Sequence, residues 1–236
     1  MDRLDDIRTF YELMSVLSKR VGGARKLSLC DARMSWPLRG AYFFFEDGEQ
    51  RAESGAGPRV VRVGSHALKA GAQTTLWGRL RNHRGPEKSG GGNHRVSVFR
   101  LLLGSAISVR EPELTCGSWG IGRSAPPTVH TKEHHLELAV SRHIREMPFL
   151  WLEADDEPGS QSVRRYIERN SIALLSSFDK IGPSIVDAPS RSWLGSYCPK
   201  DKVRLSGLWN SDHVDGPYDL AFLDVFERLV HQMART

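Results

Sequence analysis

The sequence is poor in cysteine: Cys30, Cys116 and Cys198 are the only three in 236 residues. Their number and spacing give neither a disulfide framework nor a zinc-ligand pattern, so a reducing cytoplasm is the expected location. No apolar run approaches the ~20 residues needed to cross a bilayer, so no membrane association is expected. The first residues, Met1-Asp2-Arg3-Leu4-Asp5-Asp6, carry acids where a secretory leader would place basic residues before an apolar stretch. Gly90-Gly91-Gly92-Asn93-His94-Arg95 lacks the Gly-Lys-Ser/Thr ending of a P-loop. No serine or cysteine stands in a nucleophile elbow.

Acids are nearly missing from one segment. From Arg59 to Arg100, nine basic residues (Arg59, Arg62, Lys69, Arg79, Arg81, Arg84, Lys88, Arg95, Arg100) face the single acid Glu87. That is a local balance of +8, against +5 for the whole chain, so the remainder is net negative. Lysine supplies only 8 of the 33 basic residues, and arginine is the better fork for phosphate and guanine. The clustering points to a polyanionic partner. With 39% hydrophobic and 26% charged residues, the chain can bury one sizeable core.

Leu4, Ile7, Phe10, Tyr11, Met14, Val16 and Leu17 recur at helical spacing over residues 3–20, and Gly22-Gly23 ends that helix. Ala41 to Phe45 reads as a buried strand closed by a turn at Glu46-Asp47-Gly48-Glu49, with Val60 to Val63 as its hairpin partner. Thr74 to His83 reads as a helix, capped by Thr74 or Thr75 and stopped at Gly85-Pro86. Asn93 begins a second basic helix, and residues 104–131 read as irregular. Glu133 to Arg145 is helical, Met147 to Leu152 is a third strand, and Ser160 or Ser162 caps a helix through Leu175. A last amphipathic helix covers Leu220 to Met233. The order predicts an α+β fold with a small, mostly antiparallel three-stranded sheet flanked by helices.

Arg79 and His83, four residues apart on one helix, project to the same spot. A tyrosine nearby in a basic stretch suggests phosphate chemistry, and Glu168 could add a carboxylate for a metal. Singly, each has a plainer reading. Tyr42 could be a core aromatic, Arg79 and His83 a solvated helix face, and Glu168 an i,i−4 partner of Arg164. His130, His134 and His135 lack a completing ligand and read as solvated.

Four short motifs, taken together and in order, resemble the GIY-YIG nuclease superfamily, and its restriction-type members in particular. They are Gly40-Ala41-Tyr42, Arg62-Val63-Gly64, the Arg79/His83 pair, and Glu168-Arg169-Asn170-Ser171-Ile172. The resemblance implies a nuclease core over 36–178 with an insertion at 86–131, an N-terminal helical extension at 1–35 and a C-terminal extension at 179–236 packed on the core. It implies a divalent-metal-dependent endonuclease acting on double-stranded DNA, using Mg²⁺ or Mn²⁺, and a homodimer if it works as a type II restriction enzyme does. Tyr42 would be general base or would orient the attacking water. Arg79 would stabilise charge on the scissile phosphate, and Glu168 would be the metal ligand. One carboxylate suffices for a hydrated hard cation that also binds the substrate phosphate. Arg62 stands where the second motif normally has tyrosine. It either assists the Tyr42 hydroxyl or marks a degenerate protein that binds nucleic acid without cutting it. Asn210, in Gly207-Leu208-Trp209-Asn210, resembles the later asparagine of restriction-type members. Arg81, Arg84, His94 and Arg95 are expected to contact DNA.

Overall fold

The structure, a computed structural model, describes residues 2–234. Helix α1 (Arg3–Arg20) has Asp5 and Asp6 in its first turn and Lys19 and Arg20 in its last, which suits the helix dipole at both ends. Its stripe Ile7, Phe10, Met14, Leu17 is buried. Four strands follow in chain order: β1 (Arg25–Lys26), β2 (Gly40–Gln50), β3 (Pro58–Gly64) and β4 (Pro148–Glu153). The sheet order is β1-β4-β2-β3 and every pairing is antiparallel. The sheet thus has four strands rather than the three expected. β1 has two residues, too few for any periodicity to reveal.

The remaining helices are α2 (Leu76–Arg84), α3 (Val98–Arg110), α4 (Pro127–Glu146), α5 (Val163–Leu175), α6 (Asp201–Ser206) and α7 (Phe222–Gln232). Thr75 caps α2 by accepting the Gly78 N–H, and Ser162 caps α5. β2 is buried on both faces. Phe43 meets Phe10 of α1 and Phe226 of α7, while Phe44 packs on the other side against His83 of α2 and Phe99 of α3. Beyond Phe45, β2 continues through the acids expected to turn, because their carboxylates are satisfied inside. Glu46 accepts the Trp193 and Trp209 indole N–H groups at 3.1 and 3.0 Å, and Glu49 is ion-paired with Arg59. Likewise, residues 104–110 complete α3 instead of forming a loop. Gly104 looks like a breaker, but a Cβ there would fall 2.1 Å from the Trp119 ring. The glycine is spent on close packing. α4 begins at Pro127, earlier than expected, with proline in its tolerated first-turn position.

Four arginines of the basic segment are taken up by internal partners instead of forming a surface patch. Arg59 and Arg100 are buried against Glu49 and Glu137, and Arg95 holds Glu133 with a side chain 2% exposed. Arg84 donates to the Cys30 carbonyl at 2.6 Å and lies over the Trp77 ring. These carboxylates come from outside the segment, or from Glu87 in the case of Arg84. Linear charge counting therefore overstates the surface charge. The centre of this network is Arg100, which also donates to the His83 carbonyl at 2.7 Å and to Ser141 Oγ at 2.9 Å. It ties α2, α3 and α4 together. Burial alone would raise the Glu137 carboxyl, but His94 and Arg100 outweigh it and hold it below the usual range. Replacing Arg100 by alanine strands a buried carboxylate, so Arg100→Ala should lose about 3–5 kcal/mol of stability in chemical denaturation.

Candidate active site

The motif glycines explain how the site is assembled. Tyr42 on β2 is paired with Gly64 on β3, and a Cβ at Gly64 would lie 2.3 Å from the Tyr42 Cζ and hydroxyl. The tyrosine ring therefore occupies the space a side chain at position 64 would need. Gly40 is fixed similarly, because its Cβ would fall 2.3 Å from the Leu152 carbonyl oxygen on β4.

Tyr42, Arg62, Arg79 and His83 converge. The Tyr42 hydroxyl lies 2.7 Å from His83 Nε2 and 3.4 Å from Arg79 Nε, with the Arg62 guanidinium in its field. Guanidinium groups only donate, so the phenol oxygen accepts from Arg79 and its own hydrogen points at His83 Nε2. The network thus assigns the imidazole proton to Nδ1, which donates to Ser97 Oγ at 2.7 Å. Ser97 is held in turn as the N-cap of α3, accepting the Arg100 N–H at 3.2 Å. His83 is fully buried, and burial together with Arg79, Arg62 and Arg100 pushes its pKa well below 6.5. It stays neutral at pH 7.

Arg62 lies over the Phe99 ring at 4.7 Å and donates to the Trp209 carbonyl. Burial lowers its pKa, while the Tyr42 oxygen and Glu168 oppose that shift. Arg79, half-buried, has its pKa raised by Tyr42 and donates to the Val96 carbonyl at 3.1 Å.

A cavity of about 380 Å³ opens beside this cluster, lined among others by Arg62, Arg79 and Glu168. Tyr42 stands one hydrogen bond behind its wall. Glu168 reaches the cavity from α5. One oxygen accepts the Ser65 hydroxyl, and the other has no hydrogen bond among the described residues. Burial raises its pKa, opposed by Ser65, Arg62, His213 and Arg79. A larger cavity of about 540 Å³ lies between α1 and β2, remote from these groups. Chemistry, not size, selects the smaller one. Among the described residues no three His, Cys, Asp or Glu side chains are grouped to hold a metal. The free Glu168 oxygen, with Asp212 as a second carboxylate in the lining, nevertheless fits a hydrated hard cation that shares its shell with a phosphate.

Asn210 lines the cavity, but both ends of its amide are committed to Val63. Oδ1 accepts the Val63 N–H at 3.1 Å and Nδ2 donates to the Val63 carbonyl at 2.8 Å. With Trp209 N–H bonded to the Val61 carbonyl at 2.6 Å, this segment covers the free edge of β3. The geometry gives Asn210 a positioning role.

Three expected DNA contacts are not available. His94 is 3% exposed, stacked on Trp119 and bonded to Glu137 and the Gly120 N–H. Arg95 and Arg84 are occupied as described above. Arg81 alone of the four is exposed and without a hydrogen bond among the described residues.

Ser65, Lys69, Arg165, Ser211, Asp212 and His213 also line the cavity and escaped sequence reading. Arg165 carried a signal, one turn before Glu168 on the same helix face. Ser65 directly follows the second motif. Lys69 and His213 arrive through loops and left no local sign.

The antiparallel sheet and α2 together bring arginine, tyrosine and histidine to one side of a cavity whose lining also carries the carboxylates Glu168 and Asp212, within an α+β domain. The comparison with protein families matches the GIY-YIG domain over residues 1–236, and the chain belongs to that family. GIY-YIG proteins are DNA endonucleases, so the chemistry of the class is that of a nuclease. Neither the curated proteins nor the solved structures contain a match. No helix among the described residues is long and apolar enough to cross a membrane.

Two buried imidazoles set a pH dependence. Burial pushes His66 down to about 4, and its Nδ1–H donates to the Thr74 carbonyl at 2.8 Å. His66 and His83 bind protons less readily in the fold than in the unfolded chain. Their part of the stability is complete above about pH 6.5 and is lost as pH falls below it. Urea midpoints should fall between pH 6.5 and 5, before ordinary carboxylates titrate, and His66→Gln should flatten that fall.

Proposed function

We propose that the protein is a metal-dependent endonuclease hydrolysing phosphodiester bonds in double-stranded DNA. The observation that carries the reading is the convergence of Arg62, Arg79 and Glu168 on one cavity, with the Tyr42 hydroxyl held directly behind it.

In this reading Arg79 leaves Tyr42 to bind the scissile phosphate, offsetting charge as it develops. At 3.4 Å its bond to the phenol is long, so this exchange costs little. Its departure turns a lone pair of the Tyr42 oxygen to the cavity. The oxygen then accepts a hydrogen bond from the attacking water and aligns it. His83 resists protonation, so the proton lost by the attacking water passes to solvent in the open cavity, and the leaving oxygen takes one from solvent there. His83 fixes the phenol hydrogen and with it the direction of the lone pairs. Arg62 stays in place and keeps the phenol oxygen next to positive charge, which favours the assisting role over the degenerate one. Glu168 would hold Mg²⁺ or Mn²⁺, and a cation bound there stabilises charge on the phosphate and the leaving oxygen.

The restriction-type form of this proposal is a homodimer cutting both strands at a recognition sequence. His94 and Arg95 are committed internally, so any base readout falls to other side chains.

A plasmid incubated with Mg²⁺, Mn²⁺ or EDTA tests the reading. Wild type should cut only with metal, and Glu168→Ala and Arg79→Ala should each lose at least about 10²-fold in rate. Salt-sensitive binding without cutting in any metal would instead identify the degenerate binder.

A further inference from the structure

With Arg59, Arg84, Arg95 and Arg100 closed off inside the protein, the surface that meets an extended polyanion lies elsewhere. α5 and α7 supply it. A groove of about 350 Å³ runs along them, lined by Ser160, Gln161, Arg165, Tyr166, Arg169 and Arg228 among others, with no carboxylate in its described lining. Arg165 and Arg169 are one turn apart on α5, and Arg228 approaches from α7. Among the described residues none of the three guanidinium groups has a hydrogen bond or ion pair. Two acids lie near the groove: Asp224, in the first turn of α7, and Asp219, which lies in the field of Arg169. The Asp219 oxygens are taken by the Tyr166 hydroxyl at 2.8 Å and the Ala221 N–H at 3.1 Å.

Like charges one turn apart destabilise a helix, and a third facing them adds repulsion. Arg59, Arg95 and Arg100 are each answered by a carboxylate, whereas these more exposed arginines are not. The groove adjoins the candidate active site, with Arg165 lining both. A backbone whose scissile phosphate sat between Arg79 and Glu168 would leave the cavity past Arg165. We propose that the α5–α7 groove carries the DNA backbone flanking the scissile phosphate, with Arg165, Arg169 and Arg228 each neutralising a phosphate. The assignment rests on the endonuclease reading for its choice of DNA as polyanion. It places the strand on a different face from the residues singled out by local charge.

The test uses the full chain, a short DNA duplex and fluorescence anisotropy in EDTA, where cutting does not interfere. Arg169 and Arg228 are both exposed and outside the catalytic cavity, so they are replaced together. The Arg169→Ala/Arg228→Ala protein should bind at least about tenfold more weakly. Its slope of log K against log salt should be shallower by about 1.8, two phosphate contacts at about 0.9 each. Arg169→Lys/Arg228→Lys should recover most of the binding, since a point charge still neutralises a phosphate. With metal and saturating DNA, the alanine double variant should keep the wild-type single-turnover rate.

An unchanged Kd and salt slope in the alanine variant, while wild type binds and cuts, overturns the groove and leaves the nuclease reading standing. If wild type binds without cutting and the variant still weakens, the groove stands and the endonuclease reading falls. If wild type does not bind DNA, both fall.

Discussion

The site depends on the space left by one missing side chain. Gly64 lets the Tyr42 ring lie across β3, and only there can its hydroxyl meet His83 from α2 and lie in the field of Arg62 from β3 itself. Any Cβ at position 64 would displace the ring, and Arg79 would lose the oxygen it donates to. The second motif is thus a packing requirement before it is a chemical one. Arg62 follows from the same geometry. Two residues before Gly64 on the same strand, it lies on the same face and sets its charge beside the same phenol oxygen.

The second constraint is the burial of charge. Glu46, Glu49, Glu133 and Glu137 are placed inside to meet tryptophan, histidine and arginine donors, and the sheet and helices are stitched together by those pairs. Ion pairs of this kind bring little net stability over apolar packing, but they are expensive to break. They also fix geometry. The Arg100–Glu137 pair sets α3 against α4, α3 carries its N-cap Ser97, and Ser97 holds the His83 ring. A chain of contacts thus runs from an internal salt bridge to the tautomer of an active-site imidazole.

Much of the local structure was legible in the sequence. The periodic stripe of α1, the Thr75 cap of α2 and the Ser162 cap of α5 all carried their own signals. What escaped did so for tertiary reasons. The acids of Glu46 to Glu49 read as a turn because their indole and guanidinium partners lie far along the chain or across the hairpin. Residues 104–110 read as irregular because Trp119, which packs on Gly104, lies beyond the local sequence. At the site, spacing on α2 revealed Arg79 and His83, and motif order linked Tyr42 to Glu168. Local charge misdirected the reading at Arg84, His94 and Arg95, whose carboxylate and carbonyl partners are supplied mostly by distant elements. Lys69 and His213 were invisible until loops brought them to the cavity.

The central claim is that the Tyr42 hydroxyl, oriented by His83 beside the two arginines, aligns the water that attacks the phosphate. Its most direct test is the single-turnover cleavage rate of Tyr42→Phe, which removes one oxygen and leaves the ring that fills the space above Gly64. The account predicts a loss of at least about 10²-fold in rate, with DNA affinity in EDTA unchanged. Cleavage at the wild-type rate would contradict it.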